Sequence, residues 1–236
     1  LGIAPVIFHG EKRSGKCVSL ISPDGERTML THLGAAMEMH ADELCPEFFE
    51  GYDCLYIEGF MVQSHSVIRH AIKLAKQCGL QVAIDLASYN VVLENRAFLL
   101  DLVDKYVDII FANEQEAAAF SGEDDPNKAL DFISARCELV VKIGTRGALI
   151  KEKGGEPIHV GIMAAAKRVD TTGAGDFYAA GFMAGLCLGM SLRQCGTIGA
   201  IAAGKVIEVV GTTFGEDAWR EIFTLVEEVK QQKCLF

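Results

Sequence analysis

Several large classes of protein are excluded by what this sequence lacks. The 236 residues carry a net charge of −10 and no block of basic residues, which disfavours nucleic acids and anionic membranes as partners but permits a local basic pocket for a small anion. The longest apolar stretches, residues 177–190 and 197–210, fall short of the roughly 18–20 residues that span a bilayer. The chain begins Leu1-Gly2-Ile3, without the basic and apolar segments of a signal peptide, so we expect a cytoplasmic protein.

The eight cysteines and six histidines form none of the patterns typical of metal sites. The sequence contains no CxxC pair, no HExxH motif and no cysteine with clustered histidine partners. Because most of the cysteines lie in apolar stretches, we expect reduced, buried thiols rather than a disulfide framework. The histidines are predicted to lie at the surface or to pack in the core.

The pattern of apolar residues predicts an α/β fold with a small β extension at its front. Short apolar runs at residues 3–8, 17–21 and 28–33 indicate strands, the first two joined as a hairpin. From residue 50 onward, strands of continuous apolar residues alternate with helices, which is typical of a parallel sheet covered on both faces. The predicted strands span residues 53–58, 80–86, 107–112 and 139–143, and the predicted helices span 64–77, 93–106, 126–136, 175–188, 191 onward and 217–231. Residues 1–40 would form the β extension and residues 41–236 the α/β domain.

The segment Asp170-Thr171-Thr172-Gly173-Ala174-Gly175-Asp176, directly before an apolar helix, has the composition of an anion site. Small residues let backbone N–H groups approach an anion closely, and the N-terminus of the helix adds a partial positive charge. Such a site suits a phosphate, or the charge that develops during phosphoryl transfer. Asp176 is placed to take the proton from an attacking hydroxyl. The alternative is that Asp176 and Thr172 only cap the helix.

Two further segments are candidates for ligand contacts. Asp85 ends a central strand, where open α/β sheets bind ligands, and would contact substrate or solvated Mg²⁺. Gly10-Glu11-Lys12-Arg13-Ser14-Gly15-Lys16 has the spacing of a Walker A loop. However, Cys17 stands where Mg²⁺ binding needs Ser or Thr, and a strand follows where a P-loop needs a helix. We therefore predict a charged hairpin turn there.

These segments together resemble the ribokinase-like (pfkB-type) family of carbohydrate kinases, in its adenosine-kinase-like and sugar-kinase branch. Residues 170–176 and the helix after them are similar to the C-terminal signature of that family. Asn113-Glu114-Gln115-Glu116 resembles its Asn-x-x-Glu motif, and Val141-Lys142-Ile143-Gly144-Thr145-Arg146-Gly147 resembles its nucleotide segment. Gly25-Glu26-Arg27-Thr28-Met29 and Leu33-Gly34-Ala35 resemble its lid region. The resemblance spans nearly the whole chain and implies a three-layer α/β/α sandwich with a mostly parallel central sheet and a small β-sheet lid.

The resemblance implies an ATP-dependent kinase that phosphorylates a hydroxyl of a sugar or nucleoside. Asp176 would be the catalytic base, and the amides of Gly173, Ala174 and Gly175 would form the anion hole. Asn113 and Glu116 would act through Mg²⁺ and its waters near the ATP phosphates. A helix start with Asn113 as N-cap and Glu116 at N3 is the alternative, and the two roles are compatible.

Further residues are assigned by the resemblance alone. The nucleotide site would be lined by Lys142, Gly144, Thr145 and Gly147. Asp170 and the carbonyl of Thr172, with backbone from residues 209–214, would bind a monovalent cation such as K⁺. Arg27 would reach the phosphates or the substrate from the lid, or lie solvated on the hairpin. The lid would pair two subunits into a homodimer, with its apolar face supplied by Ile3, Val6 and Phe8.

Members of this family usually carry a further N-terminal portion with a Gly-Gly signature and with the acidic and Asn residues that hold sugar hydroxyls. Residues 1–50 contain no replacement for them, so we expect either part of a longer protein or a truncated homologue. The alternative is that the protein is a degenerate member of the family, which binds nucleotide or regulates without catalysis. The intact Asp176 argues against this alternative, and the missing N-terminal portion argues for it. A hydrolase is less well supported because no nucleophile and base pair is visible. The sequence does not identify the acceptor.

Overall fold

The computed structural model describes residues 3–22, 27–142, 144–163 and 167–231, without the side chains of residues 27, 139–142 and 145. Contacts divide the chain into two compact units, one of Leu1–Val18 and Met29–Leu139 and the other of Ser19–Thr28 and Val140–Phe236. The strands are β1 (Ser14–Ile21), β2 (Arg27–Gly34), β3 (Cys54–Glu58), β4 (Gln81–Asp85), β5 (Ile109–Asn113), β6 (Glu138–Lys142), β7 (Ala148–Lys151) and β8 (Ile158–Val160). The helices are α1 (His65–Gln77), α2 (Tyr89–Lys105), α3 (Glu114–Ser121), α4 (Pro126–Ser134), α5 (Ala174–Cys187), α6 (Leu192–Val206) and α7 (Glu216–Gln231).

A parallel sheet forms the centre of the first unit. Strands β3, β4 and β5 pair in that order and in parallel, and β6 begins beside β5. All residues of β4 after Gln81 are buried, and so are the first four residues of β5. Burial on both faces explains why these strands appear in the sequence as continuous apolar runs. The predicted α/β fold class is confirmed.

Helix α1 buries an apolar stripe and contacts β3 and β4 of the sheet. In α1 this stripe includes Val67, Ile68 and Ile72, and each fully buried side chain of this size contributes about 1.5–3 kcal/mol of hydrophobic stabilisation. Helix α2 begins at Tyr89, four residues before the predicted residue 93, with Ser88 at the N-cap position. The predicted cap of α4 is confirmed, since the Asp125 carboxylate accepts hydrogen bonds from the amides of the second and third helical residues.

The second unit contains the β7–β8 hairpin and the helices α5, α6 and α7. Helices α5 and α6 approach closely through glycines: a Cβ on Gly181 would lie 2.8 Å from the carbonyl oxygen of Ile198. The predicted capping box of α6 is confirmed, with the Ser191 side chain accepting from the amide of Gln194. Strands β7 and β8 were not predicted, because runs of four and three residues are too short to show a clear alternation.

The β1–β2 hairpin forms a separate two-stranded sheet, and every residue of β1 is exposed. The predicted strand over residues 3–8 is wrong: this segment lies outside every strand, because β1 takes β2 as its partner. The Walker-like segment leads directly into β1, which begins at Ser14. The expected strand is therefore confirmed and excludes a P-loop, whereas the predicted hairpin turn at this place is wrong.

The cysteines that the structure describes are all free thiols, but most of them are not buried. Cys137 and Cys195 lie in the core, whereas Cys17 and Cys187 are exposed. The expectation of general burial is wrong because Cys17 lies on the exposed hairpin and Cys187 ends a helix at the surface; Cys234 lies outside the described residues. Among the helices described, none combines the length and apolarity needed to cross a membrane.

Candidate active site

The segment that resembles the family signature forms the N-terminal end of α5. Gly173 is the N-cap residue, Ala174 and Gly175 are the first two helical residues, and Asp176 lies exposed in the first turn. The amide of Phe177 donates to the carbonyl of Gly173 at 2.8 Å, and the amide of Ala174 donates to the carbonyl of Thr171 at 3.2 Å. The first amides of a helix carry the positive end of its dipole, so this loop has the polarity that an anion site requires.

Gly173 adopts a conformation that strongly favours glycine. Its φ is +76°, in the left-handed region, and an added Cβ would lie 2.7 Å from Cγ2 of Thr212. The loop that carries Thr212 therefore packs directly against the start of α5. One residue beyond Asp176, the ring of Phe177 contacts Phe214 edge-on at 4.9 Å. The backbone at the start of α5 is fixed by these contacts.

Asp170 joins the two loops of this site. Its side chain is almost fully buried, and its Oδ1 accepts from the amide and the hydroxyl of Thr172 at 2.9 and 2.6 Å. Its Oδ2 accepts from the amide of Gly211 at 2.9 Å, and the Asp170 amide donates to the carbonyl of Ile207. The carboxylate thus holds the loop of residues 170–173 against the loop of residues 207–214.

In the first unit, Asn113 and Glu116 form a reciprocal capping box at the start of α3. Asn113 Oδ1 accepts from the amide of Glu116, while the Glu116 carboxylate accepts from the amide and Nδ2 of Asn113 at 2.8 and 2.7 Å. Glu116 is only 4% exposed, and these hydrogen bonds help to offset the cost of burying its carboxylate. The predicted helix start is confirmed, and the role near Mg²⁺ stays a prediction.

Asp85 lies at the carboxyl end of β4, as predicted, and its side chain is buried. Its Oδ1 accepts from the amide of Ala87 at 2.9 Å, and its Oδ2 accepts from the hydroxyl of Tyr56 at 3.3 Å. Ala87 has φ +58°, unlike every other non-glycine residue that the structure describes. The sequence analysis missed Tyr56; a tyrosine two residues before the carboxyl end of a mainly apolar strand was the available signal.

The segment that resembles the nucleotide segment forms the turn between β6 and β7. Gly144 and Gly147 both have positive φ, and a Cβ on Gly147 would lie 2.1 Å from the carbonyl oxygen of Val160. The structure does not describe the side chains of Lys142 and Thr145, which are predicted to line the nucleotide site. It also does not describe the side chain of Arg27 on β2. Residues Gly25, Glu26 and Ile143 lie outside it entirely.

The core of α5 holds one polar group that the sequence did not point to. Tyr178, in the second turn, is buried, and its hydroxyl has no hydrogen-bond partner among the described residues. Burial raises the pKa of this phenol, and the neighbouring Cys195 contributes in the same direction. Across the described part of the chain, no group of three or more His, Cys, Asp or Glu side chains is arranged to hold a metal ion.

Comparison with known proteins identifies relatives of this chain. Ribokinase from Arabidopsis thaliana is 28% identical over 212 residues, which cover 84% of this chain and 53% of the ribokinase. The structure of a probable sugar kinase from Rhizobium etli CFN 42 is 33% identical with a TM-score of 0.83, and the match covers 92% of this chain and 65% of that one. The adenosine kinase of Sinorhizobium meliloti is 31% identical with a TM-score of 0.83, over 93% of this chain and 66% of that one.

These likenesses confirm the predicted ribokinase-like fold, with its parallel central sheet, its helices and a small antiparallel sheet. The chain spans between about half and two thirds of the length of these three proteins. The family described as pfkB family carbohydrate kinase matches residues 1–219. This chain therefore belongs to the pfkB family of carbohydrate kinases.

Proposed function

We propose that the protein is an ATP-dependent phosphotransferase that phosphorylates a hydroxyl of a sugar or a nucleoside. The observation that carries this proposal is the start of α5, where a left-handed glycine and the buried Asp170 fix a loop of helix N-terminal amides directly beside Asp176. The named relatives, a ribokinase and an adenosine kinase, support sugars and nucleosides as the acceptor class.

In the proposed reaction Asp176 is the general base. Its carboxylate takes the proton of the acceptor hydroxyl while the hydroxyl oxygen forms a bond to the γ-phosphorus of ATP. The bond between that phosphorus and the β,γ-bridging oxygen breaks, and the electron pair leaves with ADP. The amides of Gly173, Ala174 and Gly175 stabilise the charge on the transferring group. Of these, the Ala174 amide exchanges its 3.2 Å bond to Thr171 for a phosphoryl oxygen.

The residues present fit the cations that the proposal includes. Mg²⁺ neutralises charge on the phosphates and keeps several of its own waters, so indirect support from a carboxylate suits it. Glu116, held by Asn113, would provide that support through water. Asp170 is a buried carboxylate that accepts hydrogen bonds from Thr172 and from Gly211 in the loop of residues 209–214, and together with the carbonyl of Thr172 it would supply oxygen ligands to a monovalent cation such as K⁺.

The lid and the assembly are also part of the proposal. Both strands of the β1–β2 hairpin expose large apolar side chains, among them Leu20 and Leu30, which suits a lid that excludes water and pairs with a second copy. In this proposal Arg27 acts from the lid, and Lys142, Gly144, Thr145 and Gly147 line the nucleotide site. The free thiols of the described cysteines are the observation that favours a cytoplasmic location.

The test is coupled ADP release against a panel of sugars, sugar phosphates and nucleosides, with Mg²⁺ and K⁺ present. We expect one acceptor class to give turnover and Asp176→Asn to lower kcat by about 10²–10⁴-fold, the range for loss of a general base. Asp217→Asn is the matched control, because Asp217 also lies exposed in the first turn of a helix. This control should retain full activity.

Calorimetric titration with ATP separates the proposal from the non-catalytic alternative. Asp176→Asn should bind ATP as the wild type does, since the loop amides remain in place. ATP binding without turnover on any acceptor by the wild type would overturn the kinase and support a nucleotide-binding or regulatory protein. Equal turnover by the wild type and Asp176→Asn would show that Asp176 is not the base.

A further inference from the structure

A hydroxyl–carboxylate pair links two neighbouring strands at the carboxyl edge of the first unit's sheet. Glu58 of β3 is the register partner of Asp85, and Tyr56 is the partner of Ala83, so both tyrosine and aspartate lie on the same face of the sheet. The Tyr56 hydroxyl donates to Asp85 at 3.3 Å, and the Tyr56 ring packs 6.0 Å from that of Phe111 on β5. The small side chain of Ala83 leaves room for these two rings to meet across β4.

The turn after Asp85 is held in an unusual conformation by its surroundings. Ala87 has φ +58°, a left-handed conformation that costs an alanine roughly 1–2 kcal/mol. The Ala87 amide donates to Asp85, so this conformation serves to satisfy the carboxylate. Gly59, directly after β3, packs so closely that an added Cβ would lie 2.4 Å from the carbonyl oxygen of Asp85. Strain maintained by such packing is typical of functional sites.

The carboxylate of Asp85 is thus oriented through both of its oxygens. The Ala87 amide fixes one oxygen of Asp85, and the Tyr56 hydroxyl fixes the other. Ligands of open α/β sheets bind at the carboxyl ends of the strands, where this carboxylate lies. A buried carboxylate accepts hydrogen bonds and repels phosphate, so among the groups of a sugar or nucleoside it suits the hydroxyl donors.

We propose that Tyr56 is a positioning residue, which holds Asp85 in the orientation needed to accept a hydrogen bond from a hydroxyl of the phosphoryl acceptor. This inference rests on the proposed function. Tyr56 acts only through Asp85. Its removal therefore weakens acceptor binding without changing the affinity for ATP.

A double-mutant cycle with Tyr56→Phe and Asp85→Asn tests this role. Adenosine and D-ribose are the acceptor probes, and the readouts are the KM for the acceptor, the KM for ATP and the acceptor Kd by calorimetry. Tyr56→Phe keeps the ring on Phe111 and removes one hydrogen bond, so we expect the acceptor KM and Kd to rise about three- to tenfold. Asp85→Asn should have a larger effect, and the double variant should be no worse than Asp85→Asn alone.

Tyr52→Phe is the control, because Tyr52 is an exposed tyrosine just before β3 and should change nothing. An unchanged acceptor KM and Kd in Tyr56→Phe, additive effects in the double variant, or a parallel rise in the KM for ATP would each overturn the inference. If the wild type binds adenosine or ribose without turnover, a Kd raised by Tyr56→Phe supports the inference while the proposed function fails. If neither probe binds, the inference fails whatever the turnover.

Discussion

Replacement of Gly173 by alanine tests the geometry of the anion loop directly. The left-handed φ of +76° costs an alanine about 1–2 kcal/mol. The new Cβ, 2.7 Å from Cγ2 of Thr212, adds about 1–3 kcal/mol of overpacking. The smaller entropy of the unfolded alanine chain offsets about 0.4–1 kcal/mol. We therefore expect Gly173→Ala to lower the free energy of unfolding by about 1–5 kcal/mol.

Two further variants separate these contributions. Gly189 also has a positive φ, of +68°, but an added Cβ there meets no atom within 4 Å. Gly189→Ala should therefore lower the free energy of unfolding only by the cost of the left-handed backbone, about 1 kcal/mol. Thr212→Ser removes the methyl group that the new Cβ meets, so in the Gly173→Ala background it should recover most of the overpacking cost. Thr212→Ser alone provides the reference for this cycle.

Urea unfolding followed by tryptophan fluorescence is the assay for these variants. Trp219 is the single tryptophan of the chain and lies 5.1 Å from Phe214, which contacts Phe177 at the start of α5. Its signal reports on the second unit even if the two units unfold separately. Two results would refute the packing of the loop of residues 170–173 against the loop of residues 207–214. One is an equal loss of unfolding free energy in Gly173→Ala and Gly189→Ala, and the other is no recovery of that free energy when Thr212→Ser is added to Gly173→Ala.

Two other predictions concern the helices behind this loop. Tyr178→Phe removes a buried hydroxyl that has no hydrogen-bond partner among the described residues, so it should raise the free energy of unfolding by about 1 kcal/mol in the same urea titration. Tyr89→Phe is the control, because Tyr89 is exposed and its substitution should have no effect. Lys205 on α6 donates a hydrogen bond to the carboxylate of Glu221 on α7, and this bond raises the pKa of Lys205. The ion pair therefore stabilises the fold fully below the ordinary pKa of 10.5 and loses this effect as the pH rises through the raised pKa. The stability difference between the wild type and Lys205→Met should therefore narrow at strongly alkaline pH, and a constant difference would contradict this assignment.

The sequence predicted those parts of the fold in which local signals agree with the final packing. Continuous apolar runs identified β3, β4 and β5, and cap residues such as Asp125 and Ser191 identified the starts of two helices. The segment at residues 3–8 was misleading, because an apolar run becomes a strand only when a neighbouring strand supplies its hydrogen bonds. The sequence also did not predict the short strands β7 and β8, whose pairing depends on the turn between them.

The candidate site could be predicted only in part. Asp176 and the glycines before it are contiguous in the chain, so their pattern is visible without a structure. The hydrogen bond from the amide of Gly211 to Asp170 joins residues 41 positions apart, and the hydrogen bond from Tyr56 to Asp85 joins residues on different strands. No local pattern encodes such pairs, since they arise only when the sheet register and the loop packing are both set.

Asp170 shows why the loop depends on more than its glycines. A buried carboxylate is stable only with several hydrogen-bond donors, and this one takes them from Thr172 on its own loop and from Gly211 on the facing loop. The same bonds that satisfy the charge therefore set the spacing between the two loops. Gly173 must then fit between them without a Cβ, because Thr212 already occupies that space. The conformation of the proposed anion hole is thus a consequence of how Asp170 is buried.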